Sequence, residues 1–217
     1  MRNLLLAATA VGLAAATLPA QAAQIISFGQ VSPLNTVTAT ANGAGTATTI
    51  SIGDAAVLID QLFGAVTPPA IAAFMDLSAT SIDAAVPVGP ALLQHYSGSF
   101  CISSAVGCGG TVDLQGSFSD AAFGLTGGSQ LSVNVSNPPD TLSLSSGVIP
   151  AGALQAPSSF TLSMSNIGGL SLDNATIGSF TSSFSGVANA AAVPEPMSMA
   201  LLGVGVLGLG LVRRRRA

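Results

Sequence analysis

From Ala23 to Ala192 the chain contains no lysine and no arginine. A folded state built from that stretch has no acid–lysine or acid–arginine ion pair to draw on. It must rest on apolar burial and on hydrogen bonds between neutral groups. The acids there are Asp54, Asp60, Asp76, Asp83, Asp113, Asp120, Asp140 and Asp173, and His95 is the only residue able to oppose them. Nucleic-acid binding is excluded for this stretch, because phosphate contacts need Lys or Arg to displace counterions. Arginine clamps on phosphate or carboxylate substrates are excluded with it.

What the stretch has instead is alternation. Leu131-Ser132-Val133-Asn134-Val135-Ser136, Leu142-Ser143-Leu144-Ser145 and Phe160-Thr161-Leu162-Ser163-Met164-Ser165 place apolar residues on one face and hydroxyl or amide residues on the other. Period-two patterning of this kind is that of half-buried strands. Thr48 to Ile52, Phe74 to Thr80, Gly98 to Ser103, Thr111 to Ser119 and Ser179 to Ser185 read the same way, and Pro87, Pro90, Pro138-Pro139, Pro150 and Pro157 fall between strands. The expected fold is mainly β, an antiparallel β-sandwich or barrel-like body. Asp54 to Phe63 reads equally as a short helix, N-capped by Asp54 and stopped by Gly64, or as a buried strand over Ala55 to Ile59. Gly-Ser-Phe recurs at Gly98, Gly116 and Gly178 with irregular spacing, which argues against a solenoid period and for equivalent strand starts with Phe turned inward.

The positive charges sit at the ends: Arg2, then Arg213, Arg214, Arg215 and Arg216. Met1-Arg2-Asn3, the apolar run Leu4 to Leu18 and Ala20-Gln21-Ala22 form the three parts of a secretory signal peptide over residues 1–22, with signal peptidase cutting before Ala23. Residues 23–192 are then the β-rich exported domain. At the other end Met197 to Val212 is uncharged and apolar, about 24 Å long as a helix. That length is somewhat short of the roughly 30 Å hydrocarbon core but close enough to span with snorkelling arginines and local thinning. The tetra-Arg end goes to the cytoplasm and the body to the far side. The fold expectation therefore includes an N-terminal signal helix and a C-terminal transmembrane helix over residues 197–212.

Directly before that run stands Val193-Pro194-Glu195-Pro196, which two prolines hold extended. Pro-Glu-Pro, a short hydrophobic helix and a terminal Arg cluster, in that order, resemble the PEP-CTERM sorting signal of Gram-negative bacteria over residues 193–217. The resemblance implies recognition by exosortase, a membrane-embedded protease that removes the tail during sorting to the cell surface. It makes Pro194, Glu195 and Pro196 the recognition motif and Arg213, Arg214, Arg215 and Arg216 the cytoplasmic stop. PEP-CTERM proteins are associated with bacteria that make exopolysaccharide or biofilm, so exopolysaccharide is an expected partner. The membrane is a transient one, through the C-terminal helix.

Cys101 and Cys108 are the only cysteines. In an exported chain a local disulfide is expected, worth about 2 kcal/mol for so short a loop. Two thiolates do not make a closed metal site, and Cys-x-x-Cys spacing is absent. No Asp-x-Asp-x-Asp calcium loop occurs, and no metal or cofactor is expected. With one His, no Lys and no Gly-x-Ser-x-Gly elbow, no catalytic residues are assigned. Sugar stacking lacks its usual aromatics, since Tyr96 is the sole aromatic besides Phe. The sequence thus describes a non-catalytic exported protein of the cell surface or extracellular matrix. The alternatives are a secreted hydrolase with a Ser/His95/Asp site, or a permanently membrane-anchored surface domain.

Overall fold

The computed structural model describes residues 22–32, 34, 36–41, 47–63, 65–88, 91–125, 129–169, 172–173 and 176–191. Residues 1–21 of the expected signal peptide and the whole of the expected sorting tail, with both expected helices, lie outside the described residues, while Ala22, the expected last residue of the signal peptide, opens the first strand. Among the described residues thirteen strands follow one another: β1 (Ala22–Gln30), β2 (Val37–Ala41), β3 (Thr48–Leu62), β4 (Ala65–Ser81), β5 (Val86–Val88), β6 (Ala91–Ala105), β7 (Gly109–Leu125), β8 (Ser129–Asn134), β9 (Thr141–Ser145), β10 (Ser159–Gly168), β11 (Leu172–Asp173), β12 (Thr176–Ile177) and β13 (Phe180–Ala191). A single 3-10 turn, Ala151–Leu154, separates β9 from β10.

Of the two β architectures expected, the barrel is the one formed. The order β6-β4-β3-β1-β13-β10-β8-β7 closes on itself through the β6–β7 pairing, giving eight antiparallel staves. Three staves are made of two segments each. β2 continues β1 between β3 and β13, β5 continues β4 along β6, and β9 continues β8 along β7. Closure removes most of the unpaired strand edge, which matters in a body with no lysine to guard an edge.

The alternation read from the sequence decides which side is core. On β10, Phe160, Leu162 and Met164 are buried while Ser163 and Ser165 are exposed. This polar-out, apolar-in arrangement is the reverse of a lipid-facing barrel. Among the described residues no helix is long and apolar enough to cross a membrane. The interior is filled by rings. Phe100 stacks on Phe160 at 4.0 Å, Phe123 stacks on Phe180 at 5.6 Å, and Tyr96 meets Phe123 edge-on. Such pairs add about 0.5–1.5 kcal/mol beyond the area they bury. Tyr96 is fully buried, its hydroxyl donating to Gln94 Oε1, and burial pushes its phenol far above the ordinary range. Near that end of the barrel Gln94 is itself buried; it accepts from the Ile177 backbone and donates to the Asp83 carbonyl, tying β12 and the β4–β5 connection to β6.

Two sequence expectations are corrected here, and one open alternative is resolved in favour of the strand. Asp54 to Phe63 forms no helix: Asp54 to Leu62 is strand, the second half of β3. Asp54 adopts a positive φ of 48° at a bulge against β4, so its cap-like signature marks an irregularity inside a strand. Pro87 lies within the short strand β5. The first two Gly-Ser-Phe units do not start strands; they sit in the middle of β6 and β7, and only Phe180 of the third opens one, β13.

Candidate functional site

The mid-strand Gly-Ser-Phe units have a geometric purpose. β6 and β7 run antiparallel, and their register pairs Gly98 with Phe118, Ser99 with Ser117 and Phe100 with Gly116. Each phenylalanine therefore points into the core opposite the glycine of the other unit. A Cβ on Gly116 would stand 2.8 Å from the Phe100 ring, and one on Gly98 would stand 2.2 Å from the Ser78 carbonyl oxygen of β4. The two glycines allow strands and ring to approach this closely. The middle residues, Ser99 and Ser117, are turned outward and exposed.

Around that pair the outer face of β4, β6, β7 and β9 is concave, a cleft of about 520 Å³. Ser78, Ser99, Ser117 and Ser143 run across it, with Asp76 and Gln115 one residue pair further along the strands. Cys101 and Cys108 close one end. The β6–β7 turn has Gly107 at φ 63° and Cys108 at φ 56°, with Gly109 N donating to the Val106 carbonyl. Two successive positive-φ residues make it a type I′ turn, the hairpin type whose twist matches the strands. Gly107 N donates to Asp54 Oδ1 at 2.5 Å, and Asp54 N in turn donates to Asp76 Oδ1 at 3.0 Å. The aspartates here hold turns, as single turn acids commonly do.

The turn brings the two cysteines together as free thiols. Cys101 is buried and Cys108 exposed. Burial pushes the Cys101 thiol up to about 12, and a hydrogen bond with the Cys108 side chain acts in the same direction. A thiol in that state is a poor nucleophile on its own.

On the outer surface near Gln94, Asp83 receives the His95 backbone N–H at 2.8 Å, and its Oδ2 lies 2.5 Å from His95 Nδ1. Sequence reasoning had eight aspartates to choose from and no reason to select this one. The pair orients the imidazole as the acid of a Ser-His-Asp constellation would. Among the described residues, however, no serine hydroxyl is bonded to the ring. Among the same residues no group of three His, Cys, Asp or Glu side chains is placed to hold a metal ion.

Pro194, Glu195, Pro196 and Arg213 to Arg216 lie outside the described residues, and for them the comparison with known families speaks. The model of the PEP-CTERM protein-sorting motif matches residues 192–216. No curated protein and no solved structure matches the chain. The match spans the Pro-Glu-Pro element, the apolar run and the Arg cluster together, and it supports an exosortase-targeted exported protein. The chain is a PEP-CTERM motif-containing protein, with the motif at its C-terminus.

Proposed function

We propose that the chain is a non-catalytic protein of the cell surface or extracellular matrix, exported by its signal peptide and delivered by exosortase recognition of Pro194, Glu195 and Pro196. The observation that carries this reading is the sorting motif over residues 192–216. A second support is the surface of the body, which carries serine and threonine hydroxyls along outward strand positions and meets a wet, glycan-rich exterior without a charged shell. In the oxidising exterior the neighbouring thiols of Cys101 and Cys108 lose two hydrogens to the thiol oxidant of that compartment and clip the β6–β7 turn to the cleft wall.

The test is replacement of Pro194, Glu195 and Pro196 by alanine. The variant is expected to stay in the membrane fraction with Arg213 to Arg216 attached, while wild type reaches the surface fraction without them. Equal surface delivery of both would overturn the sorting role. A wild-type chain that itself stays in the membrane with its tail intact would leave the permanently anchored reading standing.

The Asp83–His95 pair favours the hydrolytic alternative to the extent that it orients an imidazole. In our reading it ties the β4–β5 connection to β6. His95→Ala is therefore expected to leave surface delivery unchanged and to remove no esterase or protease activity from the purified protein; loss of a measurable activity would reverse this.

A further inference from the structure

The serines of the cleft form a continuous row. Ser78 on β4 pairs with Ser99 on β6, Ser99 with Ser117 on β7, and Ser117 with Ser143 on β9. Directly opposed residues of antiparallel strands share a face, so the four hydroxyls lie side by side, spanning roughly 14 Å at the ordinary strand spacing. All four serines are exposed. At four other places on the barrel opposed hydroxyls bond one another, Thr38 with Ser51 at 2.9 Å, Thr49 with Thr80 at 3.3 Å, Ser119 with Thr141 at 2.7 Å and Ser132 with Thr161 at 3.3 Å, whereas Ser163 and Ser185 are opposed and exposed without such a bond. The four hydroxyls of the cleft row make no such bond among the described residues. Among the described residues their donors and lone pairs face solvent.

We propose that this row is a binding strip for a neutral polysaccharide chain laid across β4, β6, β7 and β9. The inference rests on the surface or matrix role proposed above and names what the body meets there. Each serine offers one O–H donor and two acceptor lone pairs, the complement of sugar hydroxyls, and Gln115 adds an amide. The cleft volume lies within the usual range of ligand clefts, about 300–1,000 Å³. Charge selects within the glycans. Asp76 borders the row, Asp54 holds the turn beside it, and the body has no lysine or arginine, so a uronate or sulfate would meet only like charge. The strip has no stacking platform, because Tyr96 is buried and Phe100 and Phe118 point inward. Single sugars are therefore held weakly, and affinity accumulates with chain length as neighbouring units engage in turn.

The test uses the full-length chain in a polyoxyethylene detergent, which carries no sugar headgroup, run in native gels containing dextran, hydroxyethylcellulose or alginate. Wild type is expected to be retarded by a neutral polymer and not by alginate. Retardation should rise with polymer length at equal sugar concentration. The variant Ser78→Val, Ser99→Val, Ser117→Val and Ser143→Val keeps strand-favouring residues at exposed positions and removes the hydroxyls. Its apparent Kd is expected to rise at least tenfold. Ser132→Val with Thr161→Val, a bonded hydroxyl pair on β8 and β10 outside the cleft lining, should bind as wild type does. No retardation of wild type by either neutral polymer would overturn the inference, as would unchanged binding by the folded quadruple variant or stronger retardation by alginate. Surface delivery is scored on the same strains. Normal delivery without glycan binding would remove this inference alone, whereas failed delivery would strike the proposed function itself.

Discussion

Gly98→Ala tests the physical basis of the cleft. The new methyl carbon would lie 2.2 Å from the Ser78 carbonyl oxygen, 2.6 Å from the Ala79 Cα and 2.8 Å from the Ala79 Cβ. The two closest obstacles are backbone atoms of β4, so no side-chain rotation relieves them and the two strands must separate. Overpacking of a close-packed site costs about 1–3 kcal/mol, and a clash with paired backbone belongs at the upper end of that range. For a domain of this size, about 3 kcal/mol lowers Tm by roughly 6–12 °C. Gly124→Ala is the matched control on the neighbouring strand β7. It lacks a positive φ and its added Cβ meets nothing within 4 Å. There the lost flexibility of the unfolded chain should stabilise by about 0.5–1 kcal/mol, raising Tm by about 1–4 °C. Thermal unfolding of the exported protein, followed by near-ultraviolet dichroism of the buried Tyr96, reads both variants. Gly98→Ala melting at or above Gly124→Ala would refute the argument that these glycines are demanded by the approach of β4 to β6.

Asp113 is buried and its Oδ2 has no hydrogen-bond partner among the described residues, and burial pushes its carboxyl above the usual range. A raised folded pKa means that the folded state holds a proton the unfolded state has released, so stability falls as pH rises from about 3.9 through the folded value. Asp113→Asn should then be more stable than wild type at pH 7 in urea unfolding, with the advantage fading as pH falls below the ordinary carboxylate range. An equal difference at pH 7 and below that range would refute this. If Cys101 and Cys108 close in the exported protein, its intact mass falls by two hydrogens. Cys108→Ser should then cost about 2 kcal/mol, some 4–8 °C in Tm. Alkylation of both thiols in the native exported protein would refute the clip.

Much of the barrel was legible because period-two alternation survives in a single strand. Phe160 to Ser165 reads as a strand from its own residues and lies within β10. Asp54 was illegible for a local reason: a residue in the left-handed region at a bulge looks, in one dimension, like a helix cap. The choice of barrel over sandwich depends on β7 pairing with both β6 and β8, which is a matter of register and closure and leaves no mark in any one segment. The serine row was hidden for the same reason, since Ser78, Ser99, Ser117 and Ser143 are aligned only by cross-strand register. One signal was present. Two Gly-Ser-Phe units on adjacent antiparallel strands reverse onto each other, glycine against phenylalanine, and leave their serines facing outward together. The His95 partner gave no such sign, because its choice of Asp83 depends on how the β4–β5 connection folds back along β6.

The central claim, export followed by exosortase sorting, is tested most directly by the intact mass of the native protein taken from the surface fraction. The account predicts a chain that starts at Ala23, ends between Val193 and Pro196 and lacks Arg213 to Arg216. A surface chain that still carries the apolar run and all four terminal arginines would contradict it.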